Sequence, residues 1–231
     1  PDQRETTFLF SISLFTVSES IVLMTLAGHT PSAELLRWRS EEAELSIAVD
    51  GGCLAYRHAD VEPDVILGDF DSCGDISDIQ MKFPGSEIHK LPDQEHTDFE
   101  KSVSWMMNRG VPKQLVILGG LGKRTDHCLS NLMTAARINP SVEVVFDDVH
   151  EYVRRITPRS SFLLNGRTGS ALSLLPMGEC QGVESSGLQW ELQGVDFSWD
   201  RMISQSNQCV ADEVRVECQK GVLFAFVSKE S

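Results

Sequence analysis

Apolar and polar positions change rhythm several times along the 231 residues. Residues 21–27 form an apolar strand closed by Gly28, the pattern of a strand buried on both faces. Over 32–43 the spacing turns helical, with Leu35, Leu36 and Trp38 set against Arg37, Arg39 and Glu41. Residues 46–49 read as a strand running into Asp50-Gly51-Gly52, 65–67 as another and 87–91 as a fourth. A helical period returns at 97–108, yields to a strand at 114–118, and returns at 126–138 before a strand at 142–146. Strands alternating with helices imply a parallel sheet covered on both faces.

Beyond about Asp148 the texture differs. Short alternating stretches at 161–164, 170–175, 187–192, 213–217 and 222–227 are separated by Gly, Pro and Asn, with no long helical period. This predicts a small all-β sandwich. The expected organisation is an α/β, Rossmann-like parallel-sheet domain over 21–147 and an all-β sandwich domain over 148–231. Within residues 1–20, the apolar run 8–17 lacks the basic start and cleavage site of a secretory leader and reads as an added strand. No apolar stretch approaches the ~20 residues of a membrane span.

Composition narrows the partners. Hydrophobic residues make up 41% and charged residues 23%, as in ordinary globular chains. A net charge of −14 argues against a nucleic-acid partner, which needs a basic stripe, while leaving room for nucleotides held through metal ions. Six scattered cysteines without a C-x-x-C pair suit reduced, packing thiols in an intracellular protein, here expected to be cytoplasmic. Trp38, Trp105, Trp190 and Trp199 read as packing residues.

Three polar motifs fall at the carboxyl ends of strands, where doubly wound sheets bind ligands. Asp50-Gly51-Gly52 is the first. Asp69 and Asp71, two apart in extended chain, would share a face and bind a hard cation such as Mg²⁺, unless they form a solvated acidic turn. The third is Gly119-Gly120-Leu121-Gly122-Lys123-Arg124, a glycine loop opening a helix, suited to phosphate. Arg124 can grip phosphate oxygens with two prongs, and Asp126 and His127 could hold a metal-bound water or orient Arg124. Thr97 and Glu100 have capping-box spacing, which places Asp98 in the first helical turn with Lys101 on its side. Phe99, Val103 and Met106 fall on another face, as core.

In order, these motifs resemble the thiamine pyrophosphokinase (thiamin diphosphokinase) family. The matching residues are Asp50-Gly51-Gly52, Gly68-Asp69-x-Asp71-Ser72 and Asp93-Gln94-x-x-Thr97-Asp98-x-x-Lys101. Further along come Gly119-Gly120-x-Gly122-x-Arg124-x-Asp126-His127 with Asn131, then Gly187-Leu188-x-Trp190 and Ser206-Asn207. The resemblance implies transfer of a diphosphoryl group from ATP to the hydroxyl of thiamine, giving thiamine diphosphate and AMP. It implies Mg²⁺ on Asp69, Asp71 and Asp98, and nucleotide contacts from Asp50, Gly51, Gly52, Gln94, Thr97, Lys101, Arg124, Asp126 and His127. Asp71, Asp98, Arg124 and Asp126 become the catalytic candidates, with Asp98, Asp126 or no protein group as base. Trp190, Ser206 and Asn207 would contact thiamine, in a homodimer with active sites between subunits. Two other readings compete. A haloacid-dehalogenase-type phosphatase would use Asp69, Asp71 and the later pair Asp147-Asp148, and a non-catalytic sensor would bind thiamine or nucleotide without turnover.

Overall fold

The computed structural model describes residues 20–70 and 75–229. The expected strand at 8–17 lies outside the described residues, as does Asp71. Six strands form the parallel half: β1 (Ile21–Thr25), β2 (Leu45–Val49), β3 (Val65–Gly68), β4 (Glu87–Lys90), β5 (Gln114–Leu118) and β6 (Glu143–Asp147). They lie in the order β6-β5-β1-β2-β3-β4. Alternate strand residues serve opposite faces. Met24, Ile47, Leu67, Ile117 and Phe146 pack under α4 (Asp98–Arg109) and α5 (Thr125–Arg137). Leu23, Ala48, Ile66 and Val116 face α1 (Ala33–Glu42), α2 (Cys53–Ala59) and α3 (Ile76–Lys82). Burial on both faces explains why these strands read as continuous apolar runs.

The α/β and sandwich expectation holds, but the two halves share one sheet. The later strands are β7 (Glu151–Ile156), β8 (Phe162–Asn165), β9 (Ala171–Pro176), β10 (Cys180–Ser186), β11 (Val195–Phe197), β12 (Ser204–Gln208), β13 (Glu213–Glu217) and β14 (Leu223–Ser228). β7 pairs antiparallel with β6, and β14, β9 and β12 continue outward, so ten strands are hydrogen-bonded in one sheet. A second sheet, β11-β10-β13-β8, closes the sandwich over a core that includes Phe162, Leu172, Val183, Val214 and Leu223.

Arg155 of β7 fastens the halves together. Its guanidinium is buried and donates to the carbonyls of Ala135 (2.8 Å), Ile138 (2.5 Å), Asn139 (2.9 Å) and Val142 (2.6 Å). These include orphan acceptors at the end of α5. Burial lowers its pKa to about 10, which leaves it cationic at neutral pH.

Several expectations need correction. Residues 187–192 are not a strand. Gly187 turns at φ 88, and Glu191 accepts hydrogen bonds from the amides of Gly187 (2.7 Å) and Leu188 (3.1 Å), bending that stretch into a loop after β10. Only Trp105, half-buried against the core, packs as expected. Trp38, Trp190 and Trp199 are 49%, 59% and 69% exposed.

Candidate active site

The strand order reverses direction between β1 and β5, and the backbones approach each other closely there. Gly28 N donates to Gly119 O at 2.7 Å, and His29 N to Leu121 O at 2.8 Å. A Cβ on Gly28 would lie 2.3 Å from Gly119 O, and one on Gly119 would lie 2.4 Å from Leu26 O. Only glycine fits both sides of this crossing. A cleft of about 420 Å³ opens at this point. Asp50, Thr97, Asp98, Gly119, Gly120, Gly122, Lys123, Arg124, His127 and Asn131 line it.

The glycine loop is held from several sides. Asn131 donates to Gly120 O (2.7 Å), the Cys128 thiol to Gly122 O (3.2 Å) and Lys123 Nζ to Ala27 O (2.9 Å). Arg124 is the N-cap residue of α5, and its exposed guanidinium donates to both carboxylate oxygens of Asp126 (3.1 and 2.6 Å). That bond holds the Asp126 carboxyl below its ordinary range and raises Arg124 further.

Asp98 begins α4 behind a complete capping box. Thr97 Oγ1 accepts from Glu100 N (3.2 Å), and Glu100 Oε2 accepts from Thr97 N (3.0 Å). Buried Oδ1 of Asp98 meets Lys101 Nζ at 2.7 Å, an ionic contact rather than an aligned hydrogen bond. Lys101 does not line the cleft. Its ammonium also donates to Leu91 O (3.1 Å) and Asp93 O (3.0 Å). Gln94 is exposed on the loop between β4 and α4.

Gly51 and Gly52 lie behind the cleft rather than facing it, in a buried 3₁₀ turn leading to α2. A Cβ on Gly52 would sit 2.0 Å from Thr25 O, so this residue lets the chain pass against β1. Gly68 abuts Asp50, where a Cβ would lie 3.1 Å from Asp50 Cα, which brings the end of β3 to the same rim. The alternation expected for Asp69 and Asp71 presumes extended backbone at Phe70, and Phe70 is left-handed. Its φ of 68 turns the chain, while its buried ring anchors the turn in the core beneath α1–α3. Asp50 (φ 41), Lys123 (φ 57) and Ser206 (φ 56), all candidate site positions, are also left-handed, as is Asp60 (φ 53) at the end of α2.

Trp190, Ser206 and Asn207 do not line this cleft. Asn207 is buried with its amide committed. Its Oδ1 accepts from Trp190 N (3.1 Å) and Gln208 N (2.8 Å), and its Nδ2 donates to Trp190 O (2.8 Å). It clamps the Trp190 backbone. Among the described residues no three His, Cys, Asp or Glu side chains are grouped as a metal centre. Gly28 and Ser130 join the cleft as residues that the motifs did not single out; the closing of a central strand by Gly28 was the available signal.

Asp147 and Asp148 are also outside the cleft. Asp147 is buried between Arg39 (2.5 Å) and Lys229, so its charge is used in the scaffold and the phosphatase reading loses its second acidic pair.

A doubly wound sheet whose acidic and glycine loops converge on a cleft at the switch point defines an α/β protein of the ligand-binding kind. The profile "Thiamin pyrophosphokinase, catalytic domain" matches residues 37–146, and "Thiamin pyrophosphokinase, vitamin B1 binding domain" matches 160–223. The Caenorhabditis elegans protein "Thiamin pyrophosphokinase 1" is 28% identical over 196 residues, covering 80% of this chain and 79% of that protein. "Thiamine pyrophosphokinase 2" of Arabidopsis thaliana is 27% identical over 234 residues, covering 90% and 86%. A crystal structure of thiamine pyrophosphokinase from Bacillus subtilis shares the fold, with a TM-score of 0.77 at 18% identity, covering 91% of this chain and 100% of that one. The chain belongs to the thiamin pyrophosphokinase family. It is an enzyme of thiamine diphosphate formation, and its family takes ATP as co-substrate.

Proposed function

We propose that the switch-point cleft holds the triphosphate of ATP and that a second copy of the chain presents thiamine to it. The convergence of Asp50, Asp98, the glycine loop and Arg124 on one cleft supports the first half. The start of α5 and the glycine loop face the phosphates, where free amides and the helix dipole favour anions. Arg124 grips phosphate oxygens from the position Asp126 sets, and Gln94, Thr97 and His127 flank the nucleotide. The thiamine hydroxyl attacks the β-phosphorus; a new O–P bond forms, the bond to the bridging oxygen of AMP breaks, and the hydroxyl proton is released. Such transfer depends mainly on positioning and on neutralising charge. Asp126, held acidic by Arg124, is a poor proton acceptor, so it serves as an orienting group.

Mg²⁺ fits the donor set. It usually takes one or two carboxylates together with substrate phosphates, and Asp50 and Asp98 face the cleft beside the strand end that carries Asp69 and leads to Asp71. Asp69, Asp71 and Asp98 would hold it, and its charge would stabilise the oxygens that gain negative charge.

The homodimer reading rests on what the cleft lacks. Among the described residues its lining ends at Asn131, yet the vitamin B1 profile covers 160–223. Trp190 and Ser206, exposed outside the cleft, would reach thiamine in the partner's cleft, with Asn207 supporting Trp190. Residues 21–147 would thus handle nucleotide and 148–231 thiamine. Cys128, Cys180, Cys209 and Cys218, free thiols among the described residues, are compatible with work in the reducing cytoplasm.

The deciding assay incubates purified protein with ATP, Mg²⁺ and thiamine and separates the products. Equal amounts of AMP and thiamine diphosphate are expected, and Asp98→Asn should lose about 10²-fold in turnover while folding normally. Phosphate release that ignores thiamine would replace this reading with the phosphatase.

A further inference from the structure

We propose that Lys101 is a positioning residue, which fixes the carboxylate of Asp98 and the loop at 91–97 and makes no contact with the polyphosphate. An ammonium carries three protons and accepts nothing. Here three oxygens surround it within 3.1 Å: Leu91 O, Asp93 O and Asp98 Oδ1. The side chain is only 8% exposed and is not part of the cleft lining. Turning toward a phosphate oxygen would cost one of these partners, and loss of the Asp98 contact would strand a buried carboxylate oxygen, a penalty that offsets the new hydrogen bond.

Two of the partners tie the loop after β4 to α4, and the third, Asp98, lies on α4 itself. Leu91 follows β4, and its amide donates to Gly68 O (2.9 Å) at the end of β3. Lys101 therefore links the strand end that leads to Asp69 with the helix that carries Asp98. Asp93 O lies within the loop that presents Gln94. With Oδ1 buried against the ammonium, Oδ2 is left as the oxygen of Asp98 for the cleft. The lysine also balances one of the negative charges gathered at this rim. Arginine cannot substitute, because its flat fork directs donors outward and cannot converge on three oxygens around one nitrogen.

The role rests on the thiamine diphosphokinase reading, so the test has one arm that needs no turnover. Wild-type protein is treated with a water-soluble acylating reagent, with and without ADP, and each lysine is followed by mass spectrometry. Lys101 should react slowly, at a rate ADP leaves unchanged, while exposed Lys90 and Lys220 react quickly. Fast labelling of Lys101 that ADP suppresses would overturn the proposal.

The second arm measures kcat and KM for ATP in Lys101→Met, Lys101→Arg, Asp98→Asn and the double variant Lys101→Met/Asp98→Asn. Loss of Lys101 should lower kcat by about 10²-fold with KM nearly unchanged, the order of effect of a misplaced group. Lys101→Arg should not rescue it, and the double variant should be no slower than Asp98→Asn, as expected for residues acting as one unit. A tenfold rise in KM at unchanged kcat, rescue by arginine, or additive losses would overturn it. If wild-type protein makes no thiamine diphosphate, the functional reading fails and the labelling arm still decides the placement of Lys101. Labelling also decides if a variant fails to fold.

Discussion

At the scale of single residues, paired charges do different work according to burial. Asp147 is 3% exposed and joins Arg39 of α1 to Lys229, which follows β14. Its truncation leaves two cations facing a buried gap. We expect Asp147→Ala to lose about 3 kcal/mol of stability in urea denaturation, with turnover per folded molecule unchanged. His96 is an exposed counterpart, with Nδ1 2.6 Å from Asp93 Oδ2. The carboxylate lifts the imidazole above its ordinary 6.5. The Glu95 amide, followed by His96, holds Asp93 below 3.8. The sign is opposite for the two partners. The histidine's contribution is complete below pH 6.5 and is lost as pH climbs through its raised value. The aspartate's is present above 3.8 and lost as pH falls through its depressed value. The 91–97 loop is therefore held best in mildly acidic solution. An NMR titration should place the His96 midpoint above 6.5 and bring it back down in Asp93→Asn; a midpoint indifferent to that change refutes the pairing.

At the scale of elements, the local rules that carry their own chemistry are readable in the sequence alone. Thr97-x-x-Glu100 announces the start of α4, and both reciprocal bonds are formed. Removing the cap in Thr97→Ala should cost about 1 kcal/mol in chemical denaturation, largely restored by Thr97→Ser. The helices α2 and α3, seven residues each, escape the pattern because two turns give too little period to see. β12, with the sequence SQSNQ, has no apolar alternation because it is the outer strand of its sheet. The left-handed turn at Phe70 is hidden for a different reason. Nothing local favours that conformation for a phenylalanine; the core that receives its ring stabilises it. The candidate site follows the same division. Asp50, Asp98, the glycine loop and Arg124 are legible as motifs at strand ends. The commitments of Lys101 and Asn207 depend on partners that only the folded chain brings together.

At the scale of the whole molecule, the placement of Trp190 and Ser206 away from the cleft makes the proposed dimer testable. Asp98→Asn and Trp190→Ala should each be nearly inactive alone. Mixed under conditions that allow subunit exchange, they should recover about a quarter of wild-type activity, the statistical share of intact sites in mixed pairs. No recovery, with exchange verified, would place both substrates' contacts in a single copy. The ten-strand sheet bears on how the enzyme excludes water. Hinged closure needs a joint that a few residues can absorb, but an unbroken ladder of amide bonds passes from β6 to β7, and Arg155 bolts α5 across the same seam. Swinging one half toward the other would tear that ladder. Sealing the reaction therefore falls to short segments such as 91–97 and, in the proposed dimer, to the neighbouring subunit, and binding substrate should leave the chain's overall dimensions in solution scattering unaltered.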